Sequence, residues 1–478
     1  MHYFLLPIRY DAGLLYIAVT DPLDMQMIEE LNTLLVDRVH VVVSSSDAIA
    51  AAIKKYYGIG AATVQSIHKE ARIPDAAGMK NEVTIDLDQD NSSIAKFVNQ
   101  ILVEANFLRA TDIHFEPFEN DLIVRYRIDG ILTDVPLPSD VKELQSSIVT
   151  RIKIMANLDI AEHRLPQDGR IKITSKGKEM DLRISVLPTP FGESVNIRLL
   201  SSNIALGLES LGFSQENLDI VAGLIEKPHG IILLTGPTGS GKTTTLYACL
   251  SKVNNGKRKI ITIEDPIEYQ LKGITQIQVY PKIGLTFSKG LRSMLRHDPD
   301  IMMVGEIRDS ETASIAMRVA LTGHLVFSTL HTNDAPSAIT RLVDMGVEPY
   351  LVSSSIECVV AQRLVRKICE HCKVEDTSSE TVLSEGAEWQ QWKGLRAYKG
   401  KGCDLCRGTG YLGRTAIHEV MHITSQVRSH IARGHDLTLI KESARAAGMK
   451  MLREDGFLKV SQGITTVEEV IRATETEL

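Results

Sequence analysis

The densest chemistry in the chain lies in eight consecutive residues, Gly236-Pro237-Thr238-Gly239-Ser240-Gly241-Lys242-Thr243. Glycines at this spacing let backbone N–H groups converge on phosphate oxygens. Lys242 is a cation able to reach β- and γ-phosphates, and the Thr243 hydroxyl suits Mg²⁺. A glycine-rich loop by itself often makes only a turn. Here the apolar run Ile231-Ile232-Leu233-Leu234 precedes the loop, and Thr244-Thr245-Leu246-Tyr247-Ala248 follows as a helix start. That strand–loop–helix setting is what a nucleotide-phosphate cradle requires. The positive N-terminal end of the helix adds to it, so Thr244 joins the expected nucleotide contacts.

Hydrolysis also needs a group that orients the attacking water and positive charge at the transition state. The strand-like Ile301-Met302-Met303-Val304 runs into Gly305-Glu306, a carboxylate at a strand end. Ile261-Thr262-Ile263 runs into Glu264-Asp265, and Pro266 stops that strand. Asp265 is equally suited to capping a turn. His324 and His331 bracket the apolar run Leu325–Leu330, a position where histidines are more often structural than catalytic. Arg292, Arg296 and Arg308 surround the Glu306 strand, and Arg125, Arg127, Arg164, Arg170, Arg183 and Arg198 lie upstream. Most arginines are surface residues, although one can complete a site from a neighbouring subunit.

A second constellation is Cys369-x-x-Cys372 and Cys403-x-x-Cys406, with 30 residues between the pairs. Four thiolates suit a closed tetrahedral Zn²⁺ site with no position left for water, hence a structural one. Iron–sulfur is the competing metal reading, and a redox pair would need a thioredoxin-like setting that is absent. Gly402, Gly408 and Gly410 suit a tight knuckle, and His371 is a bystander between two ligands. Cys249 and Cys358 sit in apolar surroundings that read as helical, as buried thiols.

The elements that must position these groups require several domains, because 478 residues exceed one core. Hydrophobic residues at 44% and charged residues at 24% describe an ordinary globular chain. A net charge of −7 supplies no global attraction to nucleic acid or anionic lipid. No apolar run reaches the roughly 18–20 residues of a membrane span, and the start has no signal-peptide pattern. A cytoplasmic location is expected, with membrane association only through a partner. Residues 1–57 read as a small α/β unit with strands at 14–19 and 39–43 and helices at 25–35 and 47–57. Residues 58–91 read as a linker. A second domain, 92–207, has a helix at 94–107 and strands near 112–116, 122–128, 131–135, 169–174 and 180–186. The third, 208–478, alternates helices with strands near 231–235, 259–264, 301–305 and 325–330, an α/β pattern with a largely parallel sheet. The cysteine module occupies 366–414 within it.

Taken in order, these motifs resemble the secretion ATPases of type II secretion and type IV pilus assembly. The resemblance rests on the phosphate loop, Ile263-Glu264-Asp265-Pro266-Ile267-Glu268, His297 through Asp309, the His324–His331 segment and the four cysteines. Ala110 through Glu116 and Arg164 through Arg170 extend it upstream, so it covers about residues 92–478. It implies a RecA-like phosphate-loop ATPase domain with a zinc module, preceded by a PAS-like α+β domain and part of an N-terminal partner-docking domain whose beginning is short. Glu306 would then be the catalytic or water-orienting carboxylate. Glu264 and Asp265 would form an acidic box near Mg²⁺, and His331, with His324 second, would sense the γ-phosphate. Arg183, Arg198, Arg292, Arg296 and Arg308 become possible site or interface groups.

The same resemblance implies an Mg²⁺-dependent homo-hexamer that binds the cytoplasmic domain of an inner-membrane platform protein and powers pseudopilus assembly. Pilus extension is the close alternative, and the zinc module disfavours pilus retraction. No convincing cyclic-dinucleotide repeat is visible. A nucleic-acid motor and a slowly hydrolysing nucleotide-dependent scaffold are the alternatives from other classes. No basic groove with stacking aromatics supports the first; turnover with and without the platform domain separates the second from a motor.

Overall fold

The computed structural model describes residues 5–11, 14–24, 27, 31, 38–57, 85–86, 93–175, 178–200, 207–376, 392, 394–434 and 436–475. The chain divides into two compact units, residues 1–203 and 204–478. Most of the expected linker at 58–91 and of the helix at 25–35 lies outside the described residues.

The first unit contains two sheets. In the smaller, Leu14–Val19 pairs antiparallel with Leu5–Asp11 and parallel with Arg38–Val43. The helix Ser46–Tyr57 follows. The larger is seven-stranded, in the order Ile85–Asp86, Gln167–Ser175, Lys178–Thr189, Gly192–Leu200, Ala110–Pro117, Leu122–Ile128 and Ile131–Asp134. All its pairings are antiparallel except the first. The two-residue turn Asp129-Gly130 has both φ angles positive, 49° and 91°, which suits its tight hairpin. Val195 and Ile197 are buried while Ser194, Asn196 and Arg198 are not, the period-two signature of a sheet with one covered face. The helices Ser93–Phe107 and Gln145–Met155 share that core through Phe97, Ile101, Ile148 and Ile152. Ile85–Asp86, inside the expected linker, is a short edge strand of this sheet.

The second unit is built on another seven-stranded sheet, ordered Thr275–Gln278, Ile260–Glu264, Ile301–Val304, Leu325–Leu330, Gly230–Thr235, Ile356–Ile368, Tyr411–His422. Only the last pair is antiparallel. Neighbouring residues of one strand enter different cores: Ile231 and Leu233 join one, Ile232 and Leu234 the other. Both faces are therefore covered, which is why these strands read as continuous apolar runs. Cys358 lies on the strand Ile356–Ile368, not on a helix as its surroundings suggested. Its burial, like that of Cys249, is as expected, and burial pushes the Cys249 thiol up to about 12.

Candidate functional site

The strands Gly230–Thr235, Ile260–Glu264, Ile301–Val304 and Leu325–Leu330 run parallel. Their carboxyl ends, and the residues that follow them, therefore share one edge of the sheet, where crevices form in open α/β sheets. Gly236–Thr243, Asp265, Glu306 and His331 meet there for that reason.

Gly236, Gly239 and Gly241 have φ of 144°, 80° and 88°. A Cβ on Gly236 would lie 2.5 Å from the Gln362 carbonyl oxygen, and one on Gly241 would lie 2.8 Å from Gln362 Nε2. Glycine is thus needed twice over, for conformation and for room. Pro237, Thr238 and Gly239 are exposed at the tip, and Thr243 is half-buried. Lys242 opens the helix Lys242–Val253 and donates back to the carbonyls of Gly236 (2.7 Å) and Pro237 (3.0 Å). Burial, followed by the nearby Arg363 charge, lowers Lys242 to about 8, while Glu306 pulls the other way. The Ser240 hydroxyl oxygen is buried and has no partner among the described residues. A phosphate oxygen would satisfy it, so the loop's polar groups fit a nucleotide phosphate.

Glu306 is held by its backbone neighbours. Gly305 N–H donates to Ile263 O at 2.8 Å, Ile307 N–H to Thr329 O at 3.0 Å, and the Thr329 hydroxyl to Gly305 O at 2.7 Å. One carboxylate oxygen meets Arg308 Nη2 at 2.6 Å, and the other lies 3.5 Å from His331 Nε2. The Glu306 side chain is 12% exposed and His331 50% exposed, so the acid sits beneath an accessible imidazole. The Thr332 N–H donates to Thr235 Oγ1 at 2.8 Å, tying the segment after His331 to the strand that enters the phosphate loop. Lys242, Glu306, Arg308 and His331 thus lie together at this edge.

The acidic pair divides. Asp265 is exposed, and its charge reaches Arg308. Glu264 is 3% exposed and accepts from the Thr262 hydroxyl (2.5 Å), Gln276 Nε2 (3.1 Å) and the Tyr247 hydroxyl. Burial and the Glu264 charge both push Tyr247 up, so it remains a donor. Tyr247, Thr262, Gln276 and Arg363 were not among the expected site residues. Tyr247 and Gln276 reach Glu264 from a helix and a neighbouring strand, so no local motif marks them, whereas Thr262 lies two residues before Glu264 on the same strand.

His324 does not join this edge. The register Gly230↔Leu325 and Thr235↔Leu330 puts it at the amino end of its strand, about 23 Å of extended chain away from His331. Its Nδ1 lies 3.1 Å from Val319 O, a local structural contact. Arg292 pairs with Glu311 at 2.7 Å on the surface, and Arg296 donates to Arg292 O and Ser293 Oγ. Arg198 pairs with Asp112 at 2.9 Å and faces Arg183 across neighbouring strands of the first unit. Of the five arginines considered, Arg308 alone contacts Glu306 among the described residues.

The four cysteines come together elsewhere in the second unit. All four sulfurs lie within 4.8 Å of one another. Cys369–Cys403 and Cys372–Cys406 are 3.8 Å apart and Cys403–Cys406 3.7 Å. A tetrahedron with Zn–S of about 2.3 Å has S···S edges of about 3.8 Å, so this spacing fits Zn²⁺. The backbone accommodates the knuckles at Gly402 (φ 93°) and Gly410 (φ 77°), where a Cβ would meet the carbonyls of Gly408 and Gly400 at 2.7 and 2.5 Å. Burial pushes the Cys406 thiol up, but the N–H groups of Cys403 (3.1 Å) and Gly410 (3.3 Å) outweigh it and bring the thiol to about 7.

The chain is similar to known proteins. The profile described as Type II/IV secretion system protein matches residues 87–472, and the MshEN domain profile matches residues 1–63. The type II secretion system protein HxcR of Pseudomonas aeruginosa is 48% identical over 430 residues, 90% of this chain and 87% of that one. The type IV pilus assembly ATPase PilB of Myxococcus xanthus is 43% identical over 481 residues, 99% and 84% of the two chains. Among solved structures, the pilus retraction motor PilT with bound ADP aligns with a TM-score of 0.52 and 27% identity, covering 79% of this chain and 98% of that one.

Proposed function

The chain belongs to the Type II/IV secretion system protein family and is an ATP-hydrolysing enzyme, and from that premise we propose that its sheet edge at Lys242 and Glu306 is the hydrolytic site of a hexameric motor that drives pseudopilus assembly. The observation that carries this reading is the convergence of Lys242, Glu306, Arg308 and His331 beside a loop whose buried Ser240 hydroxyl has no partner among the described residues.

In this account the N–H groups of Gly239 through Thr244 and the Lys242 ammonium bind the β- and γ-phosphates. The Thr243 hydroxyl and exposed Asp265 would hold Mg²⁺, which would supply charge neutralisation of the phosphates. Glu306, fixed on one oxygen by Arg308, orients the attacking water and accepts its proton. His331 reports on the γ-phosphate from the other side of that carboxylate. Glu264, held by Tyr247, Thr262 and Gln276, anchors the acidic box. Cys369, Cys372, Cys403 and Cys406 would hold Zn²⁺ in a structural role. Arg183, Arg198, Arg292 and Arg296 are interface groups or complete a neighbouring site.

The ring docks on the cytoplasmic domain of an inner-membrane platform protein. No described helix is long and apolar enough to cross a membrane. A pilus extension ATPase is the second reading, favoured by the similarity to PilB across 99% of this chain. In this reading residues 1–57, part of a partner-docking domain, carry the docking function ahead of a PAS-like domain at 92–207.

The test is phosphate release from Mg-ATP by the full chain, with and without the platform domain, beside Lys242→Ala. Stimulated turnover that disappears in the variant supports the reading. Equal turnover in the variant, or stimulation by single-stranded DNA instead of the platform domain, overturns it.

A further inference from the structure

The strand Ile356–Ile368 lies beside Gly230–Thr235 in parallel, with Ala361 opposite Thr235. The next residue, Gln362, therefore falls against the phosphate loop. Its side chain is 2% exposed and both ends are engaged. Nε2 donates to the carbonyl oxygen of Ser240 at 2.7 Å, and Oε1 accepts from the Thr245 hydroxyl at 2.8 Å. Thr245 also reaches the Gly241 carbonyl at 3.4 Å. The Gln362 backbone oxygen and side-chain nitrogen occupy the space that side chains on Gly236 and Gly241 would take. One amide thus bridges the loop, the first turn of its helix and the neighbouring strand.

We propose that Gln362 is a positioning residue that holds the phosphate loop in its nucleotide-accepting shape, with Thr245 as its partner. The inference rests on the nucleotide-site reading above. A loop that binds through several converging N–H groups needs them aligned before the ligand arrives, because loosening it costs affinity. Ser240 is where the restraint acts. Its carbonyl is fixed by Gln362, while its own hydroxyl is buried without a partner among the described residues. Arg363 braces the same strand, donating to the carbonyls of Gln362 (3.3 Å) and Asn333 (2.9 Å). An amide is suited to this place because it donates at one end and accepts at the other without charge.

The test uses Gln362→Met, which keeps length and neutrality and removes both hydrogen bonds, with Thr245→Val and Thr245→Ser as the independent pair. Binding of a fluorescent ATP analogue, KM, kcat and thermal melting are measured on the full chain, beside Lys242→Ala. Expected are a roughly tenfold loss of analogue affinity and a matching rise in KM for Gln362→Met, with kcat within about threefold. Thr245→Val should lose roughly threefold, Thr245→Ser should behave as wild type, and the Gln362→Met/Thr245→Val double variant should resemble Gln362→Met, because both act on one bridge. Wild-type affinity in Gln362→Met, or a lowered melting temperature with unchanged affinity, overturns the inference. If Gln362→Met does not fold, wild-type KM in Thr245→Val overturns it. If Lys242→Ala binds as well as wild type, the nucleotide-site reading itself fails; if Lys242→Ala loses binding and Gln362→Met does not, only the positioning role fails.

Discussion

Two places in the second unit gather reactive side chains, and they are built on opposite plans. At the sheet edge, unlike groups meet: a lysine lowered to about 8, a carboxylate shared between an arginine and a histidine, and a buried hydroxyl without a partner among the described residues. At the cysteine cluster, four like groups lie within 4.8 Å of one another, with backbone N–H groups turned toward sulfur. The first has unmatched capacity for a ligand that changes charge during reaction. The second has the symmetry of a site that holds one ion and leaves no position open. Chemistry and architecture are thereby separated, although the strand Ile356–Ile368 leads directly into Cys369 and carries Gln362 along the phosphate loop.

The sharpest way to break this contrast is Glu306→Gln. It should lower ATP hydrolysis on the order of 10²–10⁴-fold while ATP binding and zinc content stay at wild-type levels. Loss of zinc in that variant would mean the two regions are not separate. Cys403→Ser should do the reverse. Zinc measured by atomic absorption should fall below stoichiometric, and the melting temperature should drop by about 2–4 °C for each kcal/mol lost. His331→Ala should reduce turnover on the order of tenfold and leave the zinc site untouched.

A smaller effect concerns pH. Burial, then Arg363, lowers Lys242 to about 8, so the free protein loses this proton as pH rises through that value. Phosphate favours the charged ammonium, so ATP binding should take up a proton. Uptake should be slight at pH 7 and grow between about pH 8 and 9, with affinity falling by up to about tenfold per pH unit beyond that. Calorimetry in two buffers of different ionisation enthalpy measures the uptake, and proton release on binding would contradict the assignment.

Much of this edge is legible along the chain because its groups follow apolar strands directly. Gly236–Thr243, Glu306 and His331 each sit just past a buried run, and parallel pairing does the rest. His324 shows the limit of that reasoning: both ends of one strand look alike in sequence, and only the register separates them. Glu264 shows another: Thr262, two residues earlier, shares its face of the strand, but nothing local reveals that Tyr247 and Gln276 turn toward its carboxylate. The strands Gly192–Leu200, Thr275–Gln278, Ile356–Ile368 and Tyr411–His422 were not anticipated. Ile356–Ile368 mixes apolar residues with Glu, Gln, Arg and Lys because it emerges from the core onto the phosphate loop and the cysteine module, so it lacks the uniform apolar signature of its neighbours. Gln362 was missed for the same reason.

The central claim is that the sheet edge hydrolyses ATP and the cysteine cluster does not. Its most direct test is single-turnover phosphate release by zinc-loaded protein carrying Glu306→Gln, with bound ATP quantified in the same sample. The account predicts a full complement of bound ATP and zinc with release slowed at least about a hundredfold; release at the wild-type rate would contradict it.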